Sequence, residues 1–392
     1  MNTYIEIHAI QTVPPSNLNR DDTGSPKTAI YGGVQRAQVT SQSWKNAMRN
    51  AFPGALVGIR SRVAIGLIAK SVIALDPRIN EADHKRGKND PIVNGMRARE
   101  LAGEILELAG VVKKGKGKVL AEEGESPVLE FLSGEQIAAA AALAVDLFND
   151  VKVVSADAKT ALNAQNTADI AFFGRMFANS ADLKVNAAAQ VAPALSVHAA
   201  YTEYDFFTAV GDVVPEGQSS SAADMMGTTE FNSSTLYRYT NLNLTQLRKN
   251  LAGGSDDRDA VEAFLKAFVS SMPSGKQNSY ANRTLPEAVL IVVRDGQPVS
   301  LVGAFEEAVT NVEGKSRAQV TSERLASEYL GVKKMMPAEN YPKAAYLVWT
   351  KSAYSTLAEL DGVTNVDSIS EAFGNVLDFI GAAVENPLES VA

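Results

Sequence analysis

The order of strand and helix patterns along the chain constrains its fold more than any other feature of the sequence. Residues 4–10 alternate between apolar and polar side chains, which predicts a half-buried strand near the N-terminus. Helix patterns dominate residues 57–184, and clear strand patterns return only at residues 206–214, 229–244 and 288–293. This order predicts an α+β fold, in which a sheet domain is interrupted by a large and mainly helical insertion.

Turn-forming residues separate these predicted strands. On the first strand His8 is expected to be exposed, and the turn-rich residues 14–33 predict a surface loop. Small polar residues between the two central extended stretches predict a projecting hairpin with a flexible tip at residues 215–227. The Asp-Gly pair at positions 295 and 296 predicts that strand 288–293 forms a hairpin with a strand near residues 299–302.

A helix is predicted to begin at Ser41, whose hydroxyl can cap it, and Trp44 and Met48 lie on its apolar face. A different face of this helix carries Gln42, Lys45 and Arg49, which are spaced at i, i+3 and i+7. Two cations one helical turn apart repel each other unless an anion lies across them. The pattern therefore indicates either a helix that binds a polyanion or an ordinary solvated helix face.

Composition excludes several classes of protein. The 392 residues include no cysteine, and the three histidines, at positions 8, 84 and 198, are far apart in sequence. Disulfide frameworks and thiolate metal sites are excluded, and zinc or Cys/His catalysis is poorly supported. No apolar run approaches the ~20 residues of a membrane-spanning helix, and the N-terminus lacks the features of a signal peptide. We predict a cytoplasmic protein without a membrane partner.

Charge is unevenly distributed along the chain. The 37 Lys and Arg residues against 45 Asp and Glu residues give a formal net charge of -8. Residues 23–75 nevertheless contain no acidic residue, and their seven basic residues are Lys27, Arg36, Lys45, Arg49, Arg60, Arg62 and Lys70. Phosphate binding depends on local positive charge rather than on the total. This window predicts a surface that concentrates phosphate-binding capacity, so the acidity of the whole chain does not exclude nucleic acid.

A second basic group lies within the helix-rich stretch, and its members are Lys113, Lys114, Lys116 and Lys118. The surrounding sequence GVVKKGKG, residues 110–117, nearly matches a phosphate-binding loop. Gly117, however, stands where such a loop requires a magnesium-binding Ser or Thr. We therefore exclude a nucleotide-hydrolysing site, and the lysines form either a loop that contacts a polyanion or a solvated loop.

Five separated blocks occur along the chain: LNRDD (18–22), YGG with the downstream RAQVTSQSWKNAMR (31–49), FFGRM (172–176), FTAV (207–210) and GTTEFNSSTLYRYTNLNL (227–244). In this order they resemble the backbone subunit of the type I-E CRISPR Cascade complex, the CasC family of the RAMP superfamily. Several blocks in the right order are far more specific than any one of them. The matches extend from the N-terminus to about residue 280.

The resemblance implies an RRM-like palm of the ferredoxin type, with a helical fingers insertion and a projecting thumb hairpin. On this basis the palm is expected at residues 1–56 and 185–392, the fingers at 57–184 and the thumb hairpin at about 203–235. Copies of such a subunit stack head to tail along a guide RNA into a helical filament. The thumb of one copy folds over the RNA held on its neighbour and displaces bases at regular intervals.

The resemblance also assigns functions to individual residues. Lys45 and Arg49 would hold guide phosphates, contacts that position RNA without reading its sequence. Arg175 would bind the RNA backbone, and Met176 would wedge against a displaced nucleotide, opposite a thumb tip at residues 219–229. The further RNA-binding residues are Arg20, Lys27, Ser41, Gln42, Ser43, Thr228, Thr229 and Lys276. Possible contacts to target DNA are Lys113, Lys114, Lys116 and Lys118.

The implied partners are guide RNA, further copies of this chain, target DNA, the large and small subunits, the end-capping RAMP subunit and the guide-processing endoribonuclease. No catalytic residue, metal or cofactor is expected, because base pairing between guide and target supplies the specificity. Two alternatives remain open. One is a metal-dependent RNA endonuclease of the same superfamily that cuts with Asp21 or Asp22, although these aspartates also suit ion pairs or hydrogen bonds within their loop. The other is a structural α/β protein without nucleic acid.

Overall fold

The structure is a computed structural model, and it describes residues 2–83, 95–113, 115–117, 121, 124–126, 129–177, 179–209, 225–251 and 257–385. Its strands are β1 (Thr3–Ser16), β2 (Thr28–Tyr31), β3 (Val34–Val39), β4 (Ile59–Ser61), β5 (Glu130–Leu132), β6 (Arg175–Phe177), β7 (Ser180–Val185), β8 (Ala189–Val191), β9 (Ala194–Ser196), β10 (Glu203–Ala209), β11 (Met225–Asn243), β12 (Ala288–Asp295), β13 (Pro342–Trp349) and β14 (Thr364–Asn365).

The α-helices of the described residues are α1 (Ser41–Ala51), α2 (Ala64–Leu75), α3 (Arg78–Asp83), α4 (Met96–Leu108), α5 (Gly134–Phe148), α6 (Ser155–Leu162), α7 (Ala168–Phe173), α8 (Leu244–Leu251), α9 (Asp257–Ser270), α10 (Gln277–Tyr280), α11 (Arg317–Met335), α12 (Ser355–Ala358) and α13 (Ile369–Glu385). Short 3-10 helices lie at Gly54–Leu56, Val302–Phe305, Ala338–Asn340 and Ser352–Tyr354. The mixture of a large sheet with many helices confirms the predicted α+β class.

Strand β1 is the central strand of a ten-stranded sheet. Eight of the strands follow the order β14-β13-β12-β1-β11-β9-β3-β2, and β8 and β10 pair with β11 off this path. β1 is antiparallel to both neighbours, with Tyr4 opposite Asn243 of β11 and Thr3 opposite Asp295 of β12. The N-terminal strand therefore joins segments that follow it by more than 200 residues in the sequence.

Both faces of β1 are buried, so the prediction of a half-buried strand with an exposed His8 is wrong. Ile7 is 0% exposed on one face and His8 is 1% exposed on the other. The first face lies under helices α1 and α9, while α11 covers the second face through apolar residues such as Leu325 and Tyr329. The sequence predicts no helix for the residues of α11, so it does not predict that a helix covers the second face of β1.

Polar groups on the second face of β1 are bonded to distant parts of the chain. Glu6 forms a buried ion pair with Arg294, with 2.7 Å between Oε2 and Nε. The Tyr237 hydroxyl accepts a hydrogen bond from the Leu301 amide at 2.9 Å, and its oxygen lies 2.8 Å from Nδ1 of His8. The hydroxyl proton is therefore available to the histidine nitrogen.

These bonds explain why the hairpin predicted after Gly296 is wrong. The amides of Val299 and Leu301 donate to Glu6 and Tyr237 and not to a strand ladder. Strand β12 instead pairs with β13, which lies about 50 residues further along the chain. The predicted loop at residues 14–33 is also wrong in part, because β1 continues to Ser16 and β2 lies within that range. The register of β1 shifts at its two prolines, between Val13 and Ser16.

The chain divides into two compact units. The first comprises Met1–Ala51, Gln190–Asn243 and Glu262–Ala392, and the second comprises Phe52–Ala189 and Leu244–Val261. Helices α2, α4 and α5 form the core of the second unit, which contains buried residues such as Ile68, Leu101 and Ala140. Helix α5 begins with a capping box of Ser133 and Gln136. No helix in the described part of the chain is long and apolar enough to cross a membrane.

Acid sensitivity is the first testable consequence of this core. Burial, aided by the charge of Arg294, lowers the pKa of His8 to about 3, whereas the unfolded chain binds this proton near pH ~6.5. Between these values the unfolded state holds more protons at this residue, so the contribution of His8 to stability should fall as the pH decreases. Glu6, whose pKa burial raises to about 7, contributes in the opposite direction. We expect His8→Phe to reduce that slope by up to about 1.4 kcal/mol per pH unit in urea unfolding measured below about pH 6. Equal slopes for the variant and the wild type would contradict this expectation.

Candidate nucleic-acid interface

Helix α1 is fixed to the sheet by its buried face. Trp44 and Met48 are at most 1% exposed, as their spacing predicts. The hydroxyl of Thr40 accepts a hydrogen bond from the Ser43 amide at 3.4 Å, and the Thr40 amide donates to Asn19 Oδ1 at 2.9 Å. Ser41 is already the first helical residue, so the capping hydroxyl belongs to Thr40 and not to Ser41 as predicted.

A buried arginine of β11 lies directly beneath α1. The guanidinium carbon of Arg238 is 3.7 Å from the centre of the Trp44 ring and 4.4 Å from that of Phe268 in α9. Its Nη1 donates to Gln11 Oε1 at 2.6 Å, and its Nη2 donates to the Phe268 carbonyl. Burial lowers the pKa of Arg238 to about 9, which leaves the group protonated at neutral pH. This cation–π contact connects β11 with both covering helices.

The outer surface of α1 carries two adjacent polar stripes. The first is the predicted stripe, in which Gln42 is exposed and Lys45 and Arg49 are half-buried. Partial burial lowers the pKa of Lys45. The second stripe consists of Ser43, Asn46, Ala47 and Asn50, at spacings i, i+3, i+4 and i+7.

The second stripe forms one wall of a cleft of about 690 Å³. Leu18 and Arg20 line it from the loop after β1, and Arg283 lines it together with residues 270–275. An adjoining cleft of about 560 Å³ is lined by residues 18–24 and Gly275. The structure thus brings together Arg20 and Ser43 of the predicted set. The spacing of Asn46 and Asn50 could have identified them from sequence, whereas no local signal points to Arg283.

The loop of residues 18–27 is held in shape by its own polar groups. Asp21 Oδ1 accepts hydrogen bonds from the Thr23 amide at 2.9 Å, the Thr23 hydroxyl at 2.7 Å and the Ser25 amide at 2.9 Å. These bonds, that of the Thr23 hydroxyl above all, hold the pKa of Asp21 below its usual range. Asp21 therefore builds the turn. The half-buried Lys27 follows, with its amide bonded to the Asn19 carbonyl at 2.8 Å.

Lys276 belongs to a tightly constructed segment beside this loop. A Cβ at Gly275 would lie 2.4 Å from the carbonyl oxygen of Asn17 and 2.5 Å from that of Leu18, so only glycine fits there. Lys276 and Ala281, which flank helix α10, both have left-handed backbones, with φ of 56° and 45°. Such conformations are costly for residues other than glycine and are found where the surrounding structure fixes a loop.

Strands β10 and β11 form an antiparallel ribbon, in which β10 pairs with the first part of β11 off the main strand order of the sheet. Thr228 is exposed opposite Phe206, and Thr229 is half-buried opposite Asp205. Phe206 and Met226 expose 65% and 66% of their surface. Of the stretches predicted to be extended, residues 206–209 and 229–243 are strand, and residues 210–214 lie outside the described residues. The prediction of a flexible tip at residues 215–227 is wrong at residues 225–227, which belong to β11, and its remaining residues lie outside the described residues. Of the thumb tip predicted at residues 219–229, residues 219–224 also lie outside the described residues.

Arg175 does not have the exposed position that a phosphate contact requires, and the structure corrects this prediction. The residue is 4% exposed, and its Nη1 donates to Gln136 Oε1 at 2.7 Å. Its Nη2 donates to the carbonyls of Leu162 and Leu183 at 3.1 and 3.2 Å. The guanidinium therefore joins α5, α6 and β7 within the second unit. Met176, the next residue, points outward and is 75% exposed.

The basic residues of the acid-free window, residues 23–75, differ in how exposed they are and in what their side chains bind. Arg36, within the acid-free window, is buried and donates to the carbonyls of Ser196 and Phe305 at 3.0 and 2.9 Å. Arg62 forms an exposed pair with Glu125 at 3.6 Å. Arg36 is therefore not available to a phosphate and Arg62 is already paired, while the concentration of phosphate-binding capacity in this window stays a prediction.

Of the second basic group, Lys113 and Lys116 are exposed, whereas Lys114 and Lys118 lie outside the described residues. The amides of Gly115 and Gly117 donate to the Glu107 carboxylate at 2.7 and 3.1 Å. Backbone donors that a phosphate-binding loop would use are thus already bonded to a side chain. In the part of the chain that the structure covers, no group of three or more His, Asp or Glu residues is arranged to hold a metal ion.

The fold and this surface define an α+β protein whose central sheet carries a polar, partly cationic helix. The chain belongs to the family described as CT1975-like protein, whose model matches residues 5–372. A chain of a solved structure titled "CRISPR RNA-guided surveillance complex, pre-nicking" is 30% identical, with a TM-score of 0.75, and the match covers 96% of this chain and 99% of that one.

A chain of a second solved structure, titled "CRISPR RNA-guided surveillance complex", is 26% identical, with a TM-score of 0.58 and coverage of 95% and 99%. The comparison with curated proteins gives no match. Together, the family and the two structures confirm the resemblance to a Cascade backbone subunit that the sequence blocks indicate.

The contrast between Arg175 and Met176 gives the second prediction. Arg175→Met should lower the free energy of unfolding by about 3 kcal/mol, because it removes the buried hydrogen bonds that the guanidinium donates to Gln136, Leu162 and Leu183. Met176→Ala should change it by less than about 0.5 kcal/mol, because the side chain is mostly exposed. Urea unfolding of the two variants beside the wild type tests this expectation. Equal stability of all three proteins would show that the guanidinium bonds do not support the fold.

Proposed function

We propose that this chain is a non-enzymatic, guide-RNA-binding subunit of a Cascade surveillance complex. The observation that carries the proposal is the match over nearly the full length of both chains to a subunit of a CRISPR RNA-guided surveillance complex. The polar surface of α1 supports it, since Lys45, Arg49 and Gln42 project there from a helix that Trp44 anchors to the sheet. Their contacts would be to phosphates, which suits a protein whose guides differ in sequence.

Further features support assembly along the RNA. The β10–β11 ribbon projects exposed aromatic and methionine side chains, as a thumb that covers the RNA of a neighbouring copy requires. Met176 is exposed and adaptable, which suits a wedge against a displaced nucleotide. We propose a head-to-tail filament on the guide RNA, with an RRM-like palm in each copy and the type I-E set of partner subunits. Lys113 and Lys116 are candidates for contact with target DNA.

The alternative function is a metal-dependent RNA endonuclease that uses Asp21 or Asp22. The three hydrogen bonds that Asp21 Oδ1 accepts within its turn favour a structural role for this carboxylate. We therefore propose that target recognition depends on base pairing with the guide and that this subunit does not cut.

Charge reversal on α1 tests the RNA-binding helix. Lys45→Glu combined with Arg49→Glu should abolish co-purification with guide RNA when the chain is expressed with a CRISPR array and its partner subunits. The reason is that two phosphate attractions become repulsions. Lys333→Glu combined with Lys334→Glu, in the last turn of α11, makes the same charge change elsewhere and should retain the RNA. RNA retention by both double variants would contradict the helix assignment, and absence of RNA from the wild type would favour a purely structural protein.

Nuclease activity is tested separately on the assembled complex. With complementary RNA and magnesium ions, we expect the RNA to stay intact over hours, because the proposed subunit has no cleavage role. Asp21→Ala and Asp22→Ala complexes serve as matched controls on a denaturing gel. Regularly spaced cuts by the wild type that either substitution abolishes would establish the endonuclease alternative.

A further inference from the structure

We propose that a cleft beside the end of helix α11, here called the α11 cleft, docks a partner protein by taking an apolar side chain that has a Lys or Arg next to it. The α11 cleft has a volume of about 510 Å³, within the range of about 300–1,000 Å³ that is usual for binding clefts. It lies within the first unit, between the last two turns of α11 and residues 297, 299, 337 and 340. The proposal does not depend on RNA binding by the chain.

One wall of the α11 cleft is a stripe along the helix. Its members are Glu328, Gly331, Val332 and Met335, which are spaced at i, i+3, i+4 and i+7 and therefore share a face. A Cβ at Gly331 would meet nothing within 4 Å among the described residues, so the helix backbone borders open space at this point. A side chain of a partner can therefore approach the backbone of α11 between Glu328 and Met335.

Methionines form the apolar part of the α11 cleft. Met335 is 86% exposed, more than any other large apolar side chain of the described residues, and Met336 is half-buried. Val299 and Val332 line the cleft with them and are also half-buried. Methionine side chains are flexible and polarizable, and they adapt to apolar groups of different shapes. The lining therefore suits an apolar side chain of a partner.

Glu328 determines the charge of the α11 cleft, because no other charged residue is among the described residues that line it. The residue is half-buried, and its carboxylate has no hydrogen-bond or ion-pair partner within the described residues. Lys333, on another face of the helix, pairs with Asp361 at 3.2 Å. A partly desolvated carboxylate is stabilised by a cation nearby. Charge complementarity therefore selects a partner with a Lys or Arg beside its apolar residue.

A buried ion pair holds the segments that form the α11 cleft. Arg294 pairs with Glu6, and its Nη1 donates to Sδ of Met336 at 2.6 Å, at the end of α11. Glu6 also accepts a hydrogen bond from the amide of Val299, which lines the cleft from another segment. The cleft is thus preformed, which reduces the entropy lost when a partner binds.

Peptide selection with the full-length chain tests the proposed partner chemistry. Random peptides of about 12 residues, which span about 18 Å when helical, are displayed on phage and selected on the wild-type chain. Counter-selection uses Gly331→Leu, whose added side chain fills the cleft. We expect the enriched peptides to share an apolar residue within one helical turn of a Lys or Arg. Failure to enrich such peptides, or enrichment of acidic peptides instead, would overturn the proposal.

Gly331→Leu suits this test because it should leave the fold intact. The glycine lies within α11 and faces open space, and leucine favours a helix, so the melting temperature should not fall. In fluorescence anisotropy with a selected, fluorescein-labelled peptide, this variant should bind at least about tenfold more weakly, because its side chain clashes with the peptide. Gly374→Leu, at a glycine of α13 that also has nothing within 4 Å, is the matched control and should bind as the wild type does.

Glu328→Gln tests the charge while keeping the size of the side chain. It should weaken peptide binding about tenfold at low salt, because it removes a charge-assisted hydrogen bond, and it should reduce the salt dependence of the affinity. Glu323→Gln is the matched control, since this carboxylate of the same helix pairs with Lys315, and it should bind as the wild type does. Equal affinity of Glu328→Gln and the wild type would contradict the role of the carboxylate.

Two further measurements distinguish other occupants of the cleft. Self-association of the wild type in analytical ultracentrifugation that Gly331→Leu abolishes would identify a second copy of the chain as the occupant and would overturn the proposal. Loss of co-purifying guide RNA in Gly331→Leu but not in Gly374→Leu would show that the cleft binds nucleic acid, and this result would also overturn it. Absence of RNA from the wild type would contradict the proposed function and leave the docking site standing.

Discussion

The contact of Arg238 with Trp44 and Phe268 is the interaction on which the proposed RNA surface depends. It joins the central sheet to α1 and α9 at one point, with ring distances of 3.7 and 4.4 Å. Desolvated cation–π contacts contribute about 2 kcal/mol, more than an exposed ion pair does. Since α1 presents Lys45 and Arg49 on its outer side, the orientation of these cations is set from within the sheet.

The same strand also connects this contact with the projecting ribbon. β11 extends without interruption from Met225 to Asn243, and its pairing with β10 begins at Phe231, opposite Glu203. From Ser234 to Leu242 it is buried, which includes Arg238, whereas Met225 and Met226 are exposed. One continuous strand therefore sets the direction of the ribbon relative to helix α1, so the two features need no separate hinge within the described part of the chain.

The parts of the structure that were predicted correctly depend on local periodicity. Trp44 and Met48 are buried and Gln42 is exposed because helical spacing alone determines their faces. His8 was predicted wrongly because alternation in a strand cannot show whether a second helix layer covers the polar side. Arg175 was wrong for a related reason, since its acceptors Gln136, Leu162 and Leu183 become neighbours only in the folded unit. Of the cleft residues, Arg283 could not be predicted at all, because the loop that places it depends on contacts with residues 17 and 18.

The number of basic residues in a stretch of sequence does not show how many of their charges a ligand can reach. The acid-free window contains Arg36, whose guanidinium is bonded to internal carbonyls, and this charge is therefore unavailable to a phosphate. Arg283 lies far outside the window and still faces the same cleft as Arg20. A protein with a net charge of -8 can bind a polyanion when such cations keep their donors exposed and the nearest carboxylates, here Asp21, are bonded within their own turn. What determines phosphate affinity is the number of exposed cations that converge on one groove, which the fold decides and the total charge does not.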